Sequence, residues 1–161
     1  MTAQLSRQRV QILTQPVVPL ALHYLNPRTI MGPAAWQKLK TTYRQKAQHH
    51  CMICGRYVPH RPGDWLELHE QYAYDFKNLI QSLTGYVAIC HDCHLYIHQG
   101  LLGIQLQQGR ITAARAQQII AKGDALLKQF NLQKITYPSR QLFESPNWQL
   151  AFGGKLYSSQ I

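Results

Sequence analysis

Two Cys-x2-Cys pairs constrain this chain more than any other feature of its sequence. The pairs are Cys51 with Cys54 and Cys90 with Cys93. Each pair can place two thiolates on one tetrahedral ion from a tight turn, which is the spacing of zinc sites rather than of disulfides. Gly55 follows the first pair, where a zinc-binding loop bends back and a positive φ is useful. The four cysteines are therefore predicted to hold one structural zinc ion.

A reducing compartment fits these cysteines. The apolar stretch at residues 17–22 is short, contains Pro19 and lacks the small residues of a secretory cleavage site. Thiols that bind zinc rather than forming disulfides are typical of reducing surroundings. We therefore expect a cytoplasmic protein without a membrane partner.

The charge balance predicts a polyanionic partner. Lys and Arg number 17 against 7 Asp and Glu, which gives a net charge of +10 and a pI near 9.7. Nucleic acid is the expected partner, although a soluble domain can also simply be basic. Five of the acids lie between residues 64 and 92, where they suit either a cation site or one solvated face. These acids are Asp64, Glu67, Glu70, Asp75 and Asp92.

With 161 residues, the chain has the length of one ordinary domain, for which an α+β class is predicted. Residues 1–31 are expected to form an extended N-terminal arm, because Pro16, Pro19 and Pro27 interrupt any helix. Residues 33–110 are expected to contain a helix and a zinc-stapled core, and residues 111–161 a C-terminal helix and tail.

Local patterns predict the elements inside these regions. Helices are predicted at residues 33–48, 92–99 and 112–130 from three- and four-residue apolar spacing. Gly100 is expected to stop the second of these helices, and Gly123 is placed to split the third. Strands are predicted at residues 65–70 and 85–89, with a loop and helical turn over 71–84 and a further strand within 148–157. The first helix also carries cations that suit either phosphate contacts or a solvated face: Lys38, Lys40, Arg44 and Lys46.

Three histidines suggest a second metal site. His94 and His98 are four residues apart, so a helix places both imidazoles on one face, one turn apart. His69 lies on the predicted first strand. Such a set can bind one divalent ion beside the zinc site. The competing interpretation is that His94 only caps or packs against the cysteine loop.

These residues together resemble the HNH endonuclease family. The shared features are a first Cys-x2-Cys, a strand of the form Leu-Glu-x-His-Glu, and a Cys-x2-Cys-His-x3-His segment ending at His98. They are most similar to the bacterial and phage branch, as are Asn26-Pro-Arg and the region of Trp36. The resemblance implies a small ββα-metal core with a four-cysteine structural zinc site and flanking helices. It also implies cleavage of phosphodiester bonds in DNA by a bacterial or phage-encoded enzyme.

The resemblance assigns roles to individual residues. His69, His94 and His98 fall on the metal-ligand positions, for which Mg²⁺, Mn²⁺, Ni²⁺ or Zn²⁺ is the expected ion. Glu70 falls where the family most often has its general-base histidine, so it is either the base or an additional ligand. Gly85 stands where the family has its middle asparagine, for which Asn78 is a possible substitute.

Several alternatives remain open from the sequence. Another histidine can serve as the base, the candidates being His49, His50, His60 and His91. The same residues also suit a catalytically inactive, zinc-stabilised module that binds nucleic acid without cutting it. A protein-binding adaptor is a third class, with the aromatic residues Tyr72, Tyr74 and Phe76 as its contact surface. An enzyme with a single site would cut both strands as a homodimer, or would cut one strand as a nickase.

Overall fold

A four-stranded sheet and seven α-helices make up the part of the chain that the computed structural model describes, residues 4–134 and 139–159. The predicted α+β class is confirmed. Residues 1–3 of the predicted arm, and 135–138 and 160–161 of the predicted tail, lie outside the described residues. The helices are α1 (Arg7–Val10), α2 (Pro27–Met31), α3 (Pro33–Lys46), α4 (His91–Ile97), α5 (Gln99–Gln107), α6 (Ala113–Gln129) and α7 (Arg140–Phe143).

The sheet has the strand order β1-β2-β3-β4, with β1 (Glu67–Asp75), β2 (Ile80–Ile89), β3 (Gln149–Phe152) and β4 (Lys155–Ser158). β1 and β2 form an antiparallel hairpin, β3 joins β2 in parallel, and β4 returns antiparallel to β3. The strand predicted in the tail is confirmed, and it consists of two strands.

The loop and helical turn predicted over 71–84 are wrong. β1 continues to Asp75 and β2 begins at Ile80, so only residues 76–79 form a turn. Tyr72 and Tyr74 continue the two-residue period of a strand and pack on the cluster around Trp148, which favours an extended backbone. Phe76 contacts the Trp148 ring as well, with centroids 5.8 Å apart. These three rings therefore take part in packing, as aromatic residues usually do.

The N-terminal segment is not extended throughout. It contains α1, α2 and 3-10 turns at Gln11–Thr14 and Leu20–Leu22. Pro27 does not interrupt a helix there but starts α2, because a proline at the first helical position gives up no intrahelical hydrogen bond. Asn26 caps α2 by accepting a hydrogen bond from the Thr29 amide at 3.0 Å.

The helix predicted at 33–48 is confirmed as α3. Its buried Trp36 and partly buried Tyr43 both contact the ring of Tyr86 on β2. Arg44 donates from Nε to the Leu66 carbonyl at 2.9 Å. These contacts fix α3 against the hairpin.

The helix predicted at 92–99 ends differently from the prediction. α4 breaks at His98, which has φ −100° and ψ 65°, and α5 restarts at Gln99. Gly100 lies inside α5 and does not stop it. Leu102, 5 % exposed, buries one side of α5 and so stabilises helical backbone on both sides of the break.

The helix predicted at 112–130 is confirmed as α6. Thr112 caps it by accepting a hydrogen bond from the Arg115 amide at 3.1 Å. Gly123 does not split α6. The ring of Tyr96 packs on it so closely that an added Cβ would lie 2.2 Å from Cδ2 of that ring.

Apolar burial falls into two clusters. The larger one surrounds the four cysteines and includes Val10 and Leu13 from the N-terminal segment and Ile119 and Leu127 from α6. The smaller one contains Leu22, Trp148 and Leu150. Segments far apart in sequence therefore share the core that positions the cysteines.

Candidate metal centres

The four cysteine sulfurs gather around one point. All four Sγ atoms lie within 4.8 Å of one another, and those of Cys54 and Cys90 are 3.8 Å apart. Zinc bound at about 2.3 Å by four tetrahedral sulfurs separates them by about 3.8 Å, whereas a disulfide bond is about 2.05 Å long. All four cysteines are free thiols. The cluster could hold a metal such as zinc, as its spacing predicts.

Two local structures present these sulfurs. In the first, Gly55 has φ 76° and donates its amide hydrogen to the Cys51 carbonyl, which closes the turn between the first pair. In the second, Cys90 is the N-cap residue of α4 and Cys93 lies in its first turn. Hydrogen bonds among the four thiols lower the pKa of Cys54 and Cys90 and raise the pKa of Cys51 and Cys93, so without a metal the first protons leave Cys54 and Cys90. Thiolates are the form that binds metals.

The three predicted histidines also come together. One ring nitrogen of each of His69, His94 and His98 lies within 4.8 Å of the others. His69 is on β1, His94 is on α4, and His98 follows α4 while its amide still donates to the His94 carbonyl at 2.9 Å. The hairpin and the helix thus bring the strand histidine against the i and i+4 histidines.

The spacing and protonation of this cluster suit a cation. His69 Nδ1 and His98 Nε2 are 3.3 Å apart, which matches two nitrogens bound tetrahedrally at about 2.0–2.1 Å. Burial and the neighbouring His98 and His94 rings hold the pKa of His69 well below its usual range. Burial and His94 lower the pKa of His98 to about 4. Both rings are therefore neutral at pH 7 and keep a lone pair for a metal.

The Nε2 atom of His69 is a buried polar atom of this cluster. His69 Nε2 is buried and has no hydrogen-bond partner among the described residues. Burying a polar atom without a partner costs free energy. Because Nδ1 is the nitrogen of His69 that faces His98 Nε2, an ion shared by those two atoms would leave Nε2 carrying the ring hydrogen. The fit to a bound metal therefore rests on the three ring nitrogens that lie within 4.8 Å of one another.

Glu67 contacts the histidine cluster, a role that the sequence analysis did not assign to it among the five clustered acids. Its Oε2 accepts hydrogen bonds from His94 Nδ1 at 3.0 Å and from His91 Nδ1 at 2.8 Å. Burial raises the pKa of Glu67, but these two hydrogen bonds outweigh it and bring the pKa to about 2. Because the ionised carboxylate of Glu67 accepts the hydrogen carried by His94 Nδ1, the lone pair of the His94 ring is on Nε2. The signal was in the sequence, since Glu67 precedes His69 by two residues and so shares its face of β1.

Glu70 lies next to this cluster but is not one of its close ligands. It pairs with Tyr86 across the hairpin, while His69 pairs with Val87, and successive strand side chains leave on opposite faces. The carboxylate is close enough to His94 for that ring to influence its pKa, but burial dominates and raises the pKa of Glu70.

Asn78, the possible substitute for the family's asparagine, is far from the histidines along the hairpin. Asn78 donates from Nδ2 to Asp75 at 2.7 Å and closes the hairpin turn, about 20 Å along β1 from His69. Gly85 pairs with Gln71, whose side-chain oxygen would lie 3.6 Å from an added Cβ. Asn78 therefore has a structural role in the turn.

The remaining histidines differ in their surroundings. His91 shares the Glu67 carboxylate with His94, and that hydrogen bond raises the pKa of His91. In the first cysteine loop, residues 48–64, His49 and His60 have ring centroids 6.1 Å apart, and His50 packs edge-on against Tyr57. Of the four, His91 alone shares a hydrogen-bond acceptor with the three-histidine cluster among the contacts described.

The acids between residues 64 and 92 do not form one cluster. Asp64 pairs with Arg56 at 2.7 Å, Asp92 pairs with Arg115 on α6, and Asp75 bonds to Asn78 in the hairpin turn. Only Glu67 contacts the histidine cluster directly among the described residues. The cation site that the clustering of these acids suggested therefore includes one of the five, Glu67.

No helix in residues 4–134 or 139–159 combines the length and apolar character needed to cross a membrane. Comparisons with protein-family models, curated proteins and solved structures find no match to this chain. Its function must therefore be argued from its own residues.

Proposed function

We propose that this chain is a metal-dependent HNH-type endonuclease that hydrolyses phosphodiester bonds in DNA. The observation that carries the proposal is the convergence of His69, His94 and His98 from a β-hairpin and the helix after it. A ββα unit holding three imidazoles is what the HNH resemblance implies. The net charge of +10 suits a polyanionic substrate.

The three histidines would hold a divalent ion, Mg²⁺, Mn²⁺, Ni²⁺ or Zn²⁺, distinct from a structural zinc ion on the four cysteines. When bound, that ion supplies positive charge that stabilises the scissile phosphate and the leaving oxygen. Glu67 orients His94 by accepting its Nδ1 hydrogen. Glu70 is the proposed base that accepts a proton from the attacking water, because burial raises the pKa of its carboxyl toward that of a useful base and its carboxylate is close enough to His94 for that ring to influence it.

A catalytically inactive, zinc-stabilised nucleic-acid-binding module is the second candidate. The observation in its favour is that the asparagine typical of the family is absent from its usual position, where this chain has Gly85, while Asn78 is bonded to Asp75 in the hairpin turn. In this account the histidines bind metal only to stabilise the fold.

Relaxation of supercoiled plasmid separates the two candidates. The wild type, assayed with each of the four ions, is expected to nick or linearise the plasmid, and His94→Ala is expected to abolish cleavage. His23→Ala, an exposed histidine outside both clusters, is the matched control and is expected to cut normally. Retention of DNA without cleavage under every ion would replace the endonuclease by the binding module.

A further inference from the structure

A cleft beside the histidine cluster has no role in the proposed chemistry. Its volume is about 450 Å³, and it lies between the N-terminal segment, the C-terminal end of α3, the first cysteine loop and the hairpin. Cavities of about 300–1,000 Å³ are the usual size for small organic ligands. The cleft is therefore large enough for one nucleotide.

Two of the residues that line the cleft lie next to the candidate catalytic site. Val87 is the cross-strand partner of His69, and Gln71 follows His69 by two residues along β1. Cross-strand partners have Cβ atoms about 5 Å apart, and residues two apart on a strand are about 7 Å apart. The cleft thus begins within about 7 Å of His69.

The lining combines two kinds of surface. The floor is apolar and consists of Ile12, Ala47, Met52 and Val87. The rim carries the side-chain amides of Gln8, Gln48 and Gln71, each of which offers a donor group and an acceptor. An apolar surface accommodates the face of a base, and amides can hydrogen-bond to its edge.

The charge of the lining favours an anion. Arg9 and Lys46 contribute positive charge to the lining, and no carboxylate contributes to it among the described residues. Carbonyl groups hold the Arg9 guanidinium in place: Nε donates to Met52 at 2.6 Å and Nη2 donates to Cys51 at 2.9 Å. Lys46 is exposed at the end of α3, with its Nζ 5.2 Å from the centroid of the Tyr43 ring, and a phosphate in the cleft would accept a charge-assisted hydrogen bond from it.

We propose that this cleft binds one unpaired nucleotide of the strand whose phosphate lies at the histidine cluster, so that the substrate class is single-stranded or locally unpaired DNA. The inference rests on the proposed function for the identity of that strand. A paired base is stacked inside the duplex and can enter a cleft only after it is extruded, which costs free energy. An unpaired base enters without that cost.

The test is equilibrium binding of the full chain, loaded with one equivalent of zinc to fill only the cysteine site and without other divalent ions, to a fluorescent 20-nucleotide strand and to its duplex. We expect the single strand to bind at least tenfold more tightly. A 2-aminopurine base in the single strand should change its fluorescence on binding. Equal affinity for strand and duplex, or no binding to either, would overturn the proposal.

Two lysines of the same helix provide a matched pair of variants. Lys46→Glu, at the cleft, is expected to weaken single-strand binding about tenfold more than Lys38→Glu, which lies on α3 outside the cleft. Ala47→Leu partly fills the floor and is expected to weaken single-strand binding while the melting temperature stays unchanged. Equal effects of the two lysine variants would contradict the assignment.

A free deoxynucleotide is the other source of the same chemistry. If free dAMP binds as tightly as the 20-nucleotide strand, the cleft takes its ligand from solution and the strand assignment is wrong. Because binding is measured without cleavage, the result is separate from plasmid relaxation. A chain that prefers unpaired strands but cuts nothing would lose the nuclease assignment and keep the cleft.

Discussion

The cysteine cluster and the histidine cluster share α4 but differ in whether the ligand set is closed. Cys90 and Cys93 join two further sulfurs, and four thiolates complete a tetrahedral zinc site. The histidines number three and leave room for water or a phosphate oxygen. Structural zinc sites are closed and catalytic zinc sites keep an open position, so the two ligand sets differ in the way that these two kinds of site differ.

The two clusters also differ in what holds their ligands. The cysteines are oriented by backbone, a glycine turn at Gly55 and the cap of α4, and by the core around them. His94 is oriented by another side chain, Glu67. Damage to the first cluster should therefore affect folding, and damage to the second should affect metal binding and chemistry.

The largest effect is expected from Cys90→Ser. Zinc binding contributes on the order of 10 kcal/mol to folding in small zinc domains, because the site does not exist in the unfolded chain. The variant should lose its zinc and melt far below the wild type or fail to fold, as measured by elemental analysis and circular dichroism. A variant that melts with the wild type would show that the cysteines are not structural ligands.

Glu70→Gln should affect only the chemistry. Removing a general base typically slows a reaction by about 10²–10⁴-fold. Cleavage of plasmid is expected to slow by that factor while zinc content and melting temperature remain those of the wild type. Cleavage at the wild-type rate would place the base elsewhere, and His91→Ala would then be the next variant to assay.

Glu67→Gln should weaken the histidine centre without abolishing it. Loss of a carboxylate that orients a metal-bound histidine typically costs about 10–100-fold in metal affinity. Calorimetric titration of the second ion measures this change. Glu144→Gln, which removes a carboxylate paired with Arg140 on α7, is the control and should leave the affinity unchanged.

The smallest effects concern the scaffold that both clusters share. Gly123→Ala forces a methyl group into the Tyr96 ring of α4, so we expect a loss of about 1–3 kcal/mol in the free energy of unfolding. Gly103→Ala in α5 meets no atom within 4 Å and should stabilise the protein by about 0.5–1 kcal/mol. Denaturant unfolding compares them, and equal effects would contradict this account of α4 packing.

The sequence predicted much of this arrangement because spacing alone determines it. The pairs Cys51/Cys54 and Cys90/Cys93 carry their geometry in a two-residue gap, and His94 and His98 carry theirs in one helical turn. The three- and four-residue spacing of apolar residues likewise predicts α3 and α6 without knowledge of the fold.

The missed features depend on contacts that are distant in sequence. β1 continues through Tyr72 and Tyr74 because those rings pack on Trp148, which lies far along the chain. Gly123 stays helical because Tyr96 packs against it. The pairing of Glu67 with His94 joins a strand to a helix, and local propensity cannot reveal such a contact.

The central claim is that the chain has two separate metal centres, and counting bound ions tests it most directly. Native mass spectrometry of the full chain with a small excess of Zn²⁺ should find two ions on the wild type. It should find one ion on His94→Ala, which is expected to keep the zinc at the cysteines and the wild-type fold. A single ion on the wild type, or two ions on His94→Ala, would contradict the account.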